Sequence, residues 1–72
     1  MIKKKTMTFS FCICNLEYNT ERHILLITLI NKGKKIATSV IGDIKETFAK
    51  KYILKFTEQD AKEIFNNNIN IL

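Results

Sequence analysis

Apolar and polar residues alternate along the first half of the chain and then change period. Over residues 6–16 the bulky Met7, Phe9, Phe11 and Ile13 hold odd positions, while Thr6, Thr8, Ser10, Cys12 and Cys14 hold even ones. A period of two is the mark of a strand. Residues 17–21 interrupt it with Asn19 and Thr20, which favour a turn. Residues 22–31 (Arg-His-Ile-Leu-Leu-Ile-Thr-Leu-Ile-Asn) form the most apolar run, which reads as a central strand buried on both faces and is far short of the ~20 residues that cross a bilayer. Asn31-Lys32-Gly33-Lys34 predicts a tight hairpin with Gly33 at positive φ, and the chain returns in the strand-like Ile36-Ala37-Thr38-Ser39-Val40-Ile41.

After Gly42 the spacing becomes three and four. Ile44, Phe48, Ala49, Tyr52, Ile53 and Phe56 lie on one helical stripe, with Asp43 as N-cap and Glu46 three residues on. Lys50, Lys51 and Lys55 then fall near the C-terminal end, where the helix dipole favours cations. A competing reading makes residues 52–56 a strand. Thr57 and Asp60 cap a second helix whose Ala61, Ile64, Phe65, Ile69 and Leu72 share a face, with Asn66-Asn67-Asn68 fraying or ending it. The expected fold is α+β over residues 1–72 as one small domain: a three-stranded antiparallel meander followed by two helices (βββαα), alternatively βββαβα, with residues 1–5 a frayed basic lead-in.

The meander poses an exposure problem. With turns about Asn19-Thr20 and Lys32-Gly33, one face gathers Cys12, Cys14, Leu16, Leu25, Ile27, Leu29, Ile36, Thr38 and Val40. The other gathers Phe9, Phe11, Ile13, Ile24, Leu26, Ile30, Ala37 and Ile41. Both sets are apolar, and a one-residue change in either turn exchanges members. Two short helices on one face would leave the other as an exposed apolar patch, which predicts a homodimer or a partner protein; helices on both faces would remove the patch.

Composition narrows the class. At 72 residues and 46% hydrophobic, with no Pro, no Trp and two Gly, the chain is too apolar for disorder. It is also near the size where one core gives only ~3–5 kcal/mol. Cys12 and Cys14 are the only cysteines and project in parallel from a strand, unsuited to a mutual disulfide, so a reduced, cytoplasmic chain is expected. The Lys3-Lys4-Lys5 cluster before residues 7–14 imitates a secretory leader, but that run alternates and no small-residue cleavage site follows.

Candidate chemistry is sparse. Cys12, Cys14 and His23 are the nearest approach to a metal site, yet Cys-x-Cys in a strand does not converge two thiolates on one ion. A Cys nucleophile with His23 as base lacks an orienting third group. No phosphate loop, dinucleotide fingerprint or nucleophile elbow occurs. A non-enzymatic protein is expected, with no cofactor and no metal.

Charge is the clearest remaining signal. Residues 1–42 hold Lys3, Lys4, Lys5, Arg22, Lys32, Lys34 and Lys35 against Glu17 and Glu21, whereas residues 43–72 balance. Such a patch attracts phosphate backbones or acidic protein surfaces; the alternative is that these lysines serve solubility and edge protection. Eleven of the twelve cations are Lys, which argues against sequence-specific DNA reading, where Arg makes the commonest base contact. Phe9 and Phe11 alternate as a stacking platform for single strands would, without an RNA-motif context, and core packing is the simpler use. The expected function is a protein-binding regulator or inhibitor, of the kind phages and mobile elements often encode, acting through an apolar sheet face and a basic rim. The alternative is a sequence-nonspecific nucleic-acid binder using the lysine-rich second turn and N-terminus. The binding residues are Lys3, Lys4, Lys5, Arg22, Lys32, Lys34, Lys35, Phe9 and Phe11, and no membrane association is expected.

Overall fold

A computed structural model describes the backbone of residues 1–71 and the side chains of residues 1–67. Four antiparallel strands lie in the order β1 (Ile2–Thr8), β2 (Ile13–Asn19), β3 (Ile24–Asn31), β4 (Lys34–Ile41), followed by helices α1 (Glu46–Lys55) and α2 (Glu58–Ile71). The class is α+β as expected, but the sheet has a fourth strand in front of the expected three. Residues 6–16 are not one strand: the chain reverses at residues 9–12, where the Phe9 N–H donates to the Cys12 carbonyl at 2.8 Å. Residues 1–5 are not frayed either. Lys3, Lys4 and Lys5 pair with Tyr18, Glu17 and Leu16 in edge strand β1, and lysines along an edge discourage pairing with further chains.

The second connection spans residues 20–23, later than Asn19-Thr20; Glu17, Tyr18 and Asn19 belong to β2, and His23 takes a left-handed φ of 57°. Lys32 and Gly33 form the tight turn at φ 53° and 76°, as the Gly33 reading requires. A bulge follows. Ile30 faces Lys35 but Leu29 faces Ala37, so Ile36 is an inserted residue. One extra residue exchanges the faces of everything after it, placing Ala37 and Ile41 rather than Thr38 and Val40 over the core.

That core lies on one side of the sheet. Cys14, Leu16, Leu25, Ile27 and Leu29 are 0% exposed, Tyr18 is buried beside them, and Ala49, Phe56, Ala61 and Ile64 of the helical region cover the same face. The helices therefore do not straddle the sheet, and β3 is sealed on one face only, its outward residues Ile24, Leu26, Thr28 and Ile30 being half-buried.

Helix α1 begins at Glu46. Asp43 does not cap it but sits at φ 54°, and the N-cap is Lys45, whose side chain makes no capping bond. The helix runs unbroken to Lys55, so residues 52–55 are not a strand and the βββαβα order does not form. Ala49 and Phe56 are buried and Tyr52 and Ile53 pack beside them, but Phe48 is 60% exposed because it lies one residue, ~100° of rotation, from the centre of the buried stripe. Before α2, Thr57 and Asp60 bond reciprocally: the Thr57 N–H donates to the Asp60 carboxylate (2.9 Å) and the Asp60 N–H to the Thr57 hydroxyl (3.4 Å). α2 continues through Asn66–Asn68 to Ile71 instead of ending there; the expected places of Ile69 and Leu72 on its face lie outside the described side chains. Among the described residues, no helix is long and apolar enough to cross a membrane.

Candidate functional site

The uncovered face of the sheet can be read rung by rung from the strand register. Its first rung is Ile2–Asn19–Ile24, its second Lys4–Glu17–Leu26–Val40 and its third Thr6–Asn15–Thr28–Thr38; Thr8, Ile13 and Ile30 follow. Apolar groups of this face thus form two clusters, exposed Ile2 and Val40 with half-buried Ile24 and Leu26 at one end and exposed Ile13 with half-buried Ile30 at the other, separated by a hydroxyl and amide rung in which Thr6 donates to Asn15 at 2.9 Å. The expectation of a uniformly apolar second face is corrected. The turn at residues 9–12 takes Phe9 and Phe11 out of the sheet, and the outward positions of β2 become Asn15, Glu17 and Asn19.

Phe9 and Phe11 instead tie that turn to the helical layer. Phe9 stacks on Phe56 with centroids 6.2 Å apart and Phe11 tilts against Phe65 at 6.1 Å. Between them the Ser10 N–H (2.8 Å) and hydroxyl both donate to the Glu58 carboxylate, which holds that carboxyl below its usual range. The Asn31 side-chain amide donates to the Phe11 carbonyl at 2.8 Å, joining the two turns at this end of the sheet.

The basic residues do not converge. Lys3 is on the helix side, 2.8 Å from Glu46, which also receives Lys50 at 3.2 Å; the shared hydrogen bonds raise the Lys3 pKa and lower that of Glu46. Lys4 is on the open face, 3.9 Å from Glu17, and Lys5 is exposed along β1. Lys32, Lys34 and Lys35 cluster at the β3–β4 turn. From the Lys3–Tyr18 rung to that turn the sheet runs ~20 Å along the strands and ~14 Å across three strand spacings, so the N-terminal lysines and the turn lysines occupy opposite corners. Arg22 lies in the β2–β3 loop at the end away from that turn. Among the described residues, Arg22, Lys5, Lys32, Lys34 and Lys35 have no carboxylate within ion-pair distance.

Cys12 and Cys14 are free and buried, and burial pushes both thiols up, Cys14 to about 11. His23 is at the far end of the sheet, its Nδ1 3.3 Å from the Tyr18 hydroxyl, which donates to the Ile44 carbonyl at 2.7 Å. Cys12, Cys14 and His23 are therefore not brought together, and no cluster of three potential metal ligands occurs among the described residues.

Sequence reasoning missed a depression of about 220 Å³ on the open face, lined by Ile2, Glu17, Asn19, Arg22, Ile24 and Leu26. No local signal reveals it, since Ile2 looked like part of a frayed lead-in and the site exists only once β1 pairs with β2. Compared with protein-family models, curated proteins and solved structures, the chain matches none.

Proposed function

We propose that this is a non-enzymatic binding protein that docks an acidic surface of a partner protein on its open sheet face and thereby regulates or inhibits that partner. The observation that carries the reading is the one-sided helical layer, which leaves Ile2 and Val40 exposed and Ile24 and Leu26 half-buried on the same open face. Arg22 at their end of the face, and Lys32, Lys34 and Lys35 beyond Ile13 and Ile30 at the other, have no carboxylate within ion-pair distance among the described residues. An apolar cluster bordered by polar and charged groups is the usual anatomy of a transient interface. A second copy suits the face less well than an acidic partner, because two such surfaces would bring like charges together. The nucleic-acid alternative draws on Lys32, Lys34 and Lys35 but keeps only Lys5 of the three N-terminal lysines, since Lys3 and Lys4 already face Glu46 and Glu17.

The test is capture of partners by the tagged chain, with and without nuclease, using a Leu26→Glu/Val40→Glu variant and a Lys32→Ala/Lys34→Ala/Lys35→Ala variant whose folding is checked by circular dichroism. One stoichiometric protein that survives nuclease and is lost with the face variant is expected. Recovery of nucleic acid alone, with steep salt dependence that the lysine variant flattens, would replace this reading with the alternative. Light scattering that gives twice the 8.4 kDa chain mass, abolished by the face variant, would assign the face to a second copy.

A further inference from the structure

We infer that the depression between β1, β2 and β3 is a recognition pocket for one bulky apolar side chain of an acidic peptide segment, with Arg22 receiving the carboxylate beside it. This rests on the docking reading above and names the chemistry of the docked segment. Ile2, Ile24 and Leu26 supply the apolar lining, and about 220 Å³ accommodates one side chain the size of Leu or Phe.

The loop bounding the pocket is held in place before any ligand arrives. The Asn19 side-chain oxygen accepts from the N–H groups of Glu21 (2.9 Å) and Arg22 (3.0 Å), and the Asn19 carbonyl accepts from the His23 N–H (2.9 Å). Across the gap, the Thr20 N–H and hydroxyl both donate to the Met1 carbonyl at 3.0 Å, fastening the loop to the start of β1. Little ordering remains to be done on binding, which favours affinity.

Charge sets the ligand's chemistry and its direction. Glu17 lies 3.9 Å from Lys4, while Arg22 has no carboxylate within ion-pair distance among the described residues. A ligand carboxylate therefore belongs at the Arg22 end, away from Glu17. A basic segment would meet Arg22 with like charge, and a wholly apolar one would leave the guanidinium without a counter-charge.

The experiment titrates the ¹⁵N-labelled full chain with three peptides, acetyl-Gly-Leu-Asp-Gly-amide, its Leu-Asn analogue and its Ala-Asp analogue, at millimolar concentration and low salt. The Leu-Asp peptide should shift the amides of Ile24 and Leu26 and the Arg22 side-chain Nε–H. The Leu-Asn peptide should bind about threefold more weakly, as a partly exposed ion pair allows. The Ala-Asp peptide should bind about fivefold more weakly, for the lost apolar burial. Arg22→Gln should erase the Asp/Asn difference and keep the Leu/Ala difference. Equal binding of the Asp and Asn peptides, or shifts confined to another surface, would overturn the inference. The two readings fail separately: loss of a captured partner with Leu26→Glu/Val40→Glu, but no peptide shifts at the pocket, sinks the pocket alone. Peptide binding as described, with partner capture unaffected by the face variant, sinks the docking reading alone.

Discussion

Leu25 and Leu26 are consecutive leucines of β3 that differ only in what lies over them. Leu25 is 0% exposed, between Tyr18 of β2 and Ile41 of β4 and beneath the helical layer. Leu26 sits between Glu17 and Val40 on the open face and is half-buried. Alanine at 25 removes a fully buried side chain and leaves a hole that a sheet-and-helix sandwich closes poorly, at a cost of ~3–4 kcal/mol. Alanine at 26 forfeits partial burial only, ~0.5–1 kcal/mol. Unfolding entropy of about 2.1 cal/mol/K per residue gives roughly 0.15 kcal/mol/K for a chain of this length, so 1 kcal/mol moves Tm by about 6–7 °C. Leu25→Ala should lower Tm by about 20–25 °C, its cost being most of the roughly 3–5 kcal/mol that a core of this size gives, and Leu26→Ala by less than about 7 °C. Circular dichroism melts at two protein concentrations measure both. Equal losses would refute the one-sided architecture; a Leu26→Ala loss that grows with protein concentration would show that a second copy covers the outer face.

Three further outcomes follow from particular contacts. Ile53→Asp should destabilise by about 3 kcal/mol, because it places a carboxylate against the core, whereas Phe48→Asp, on the exposed side of α1, should cost less than about 1 kcal/mol; urea titration compares them, and a Phe48→Asp cost equal to that of Ile53→Asp would place Phe48 in the core. Lys32→Asn should raise stability by roughly 0.5–1 kcal/mol, because asparagine accepts the left-handed conformation at the first position of this turn better than lysine does; a lower urea midpoint would contradict the turn geometry. The carboxyls of Glu46 and Glu58 are lowered in the folded state by hydrogen bonds from Lys3 and Ser10 respectively, so the unfolded chain binds protons first on acidification. Stability should be complete above the ordinary glutamate range and fall as pH drops below about 5; a Glu46→Gln/Glu58→Gln variant should show a flatter acid limb, and an unchanged limb would exonerate these groups.

Some features that depend on neighbours a few residues apart could be read from the chain directly, although the local signals at Asp43, Asn19-Thr20 and Asn66–Asn68 misplaced a cap, a turn and a helix end. The apolar run of β3 and the left-handed Gly33 turn are examples. So are the Thr57–Asp60 cap and the switch from period two to spacings of three and four after Gly42. In each, the responsible groups touch within one turn of backbone. The rest was decided by contacts between distant residues. The reversal at residues 9–12 contains no Gly, Asn or Pro, and it is held by Phe9 on Phe56, Phe11 on Phe65 and Ser10 on Glu58. The bulge at Ile36 inverts the faces of β4 because side-chain direction in a strand depends only on parity, which one inserted residue reverses. Capturing Lys3, Lys4 and Lys5 as an edge strand required a partner strand ten or more residues away. The Arg22 pocket has the same origin: Ile2, Asn19 and Ile24 become neighbours only through strand pairing, and no periodicity in the sequence records a distance across a sheet.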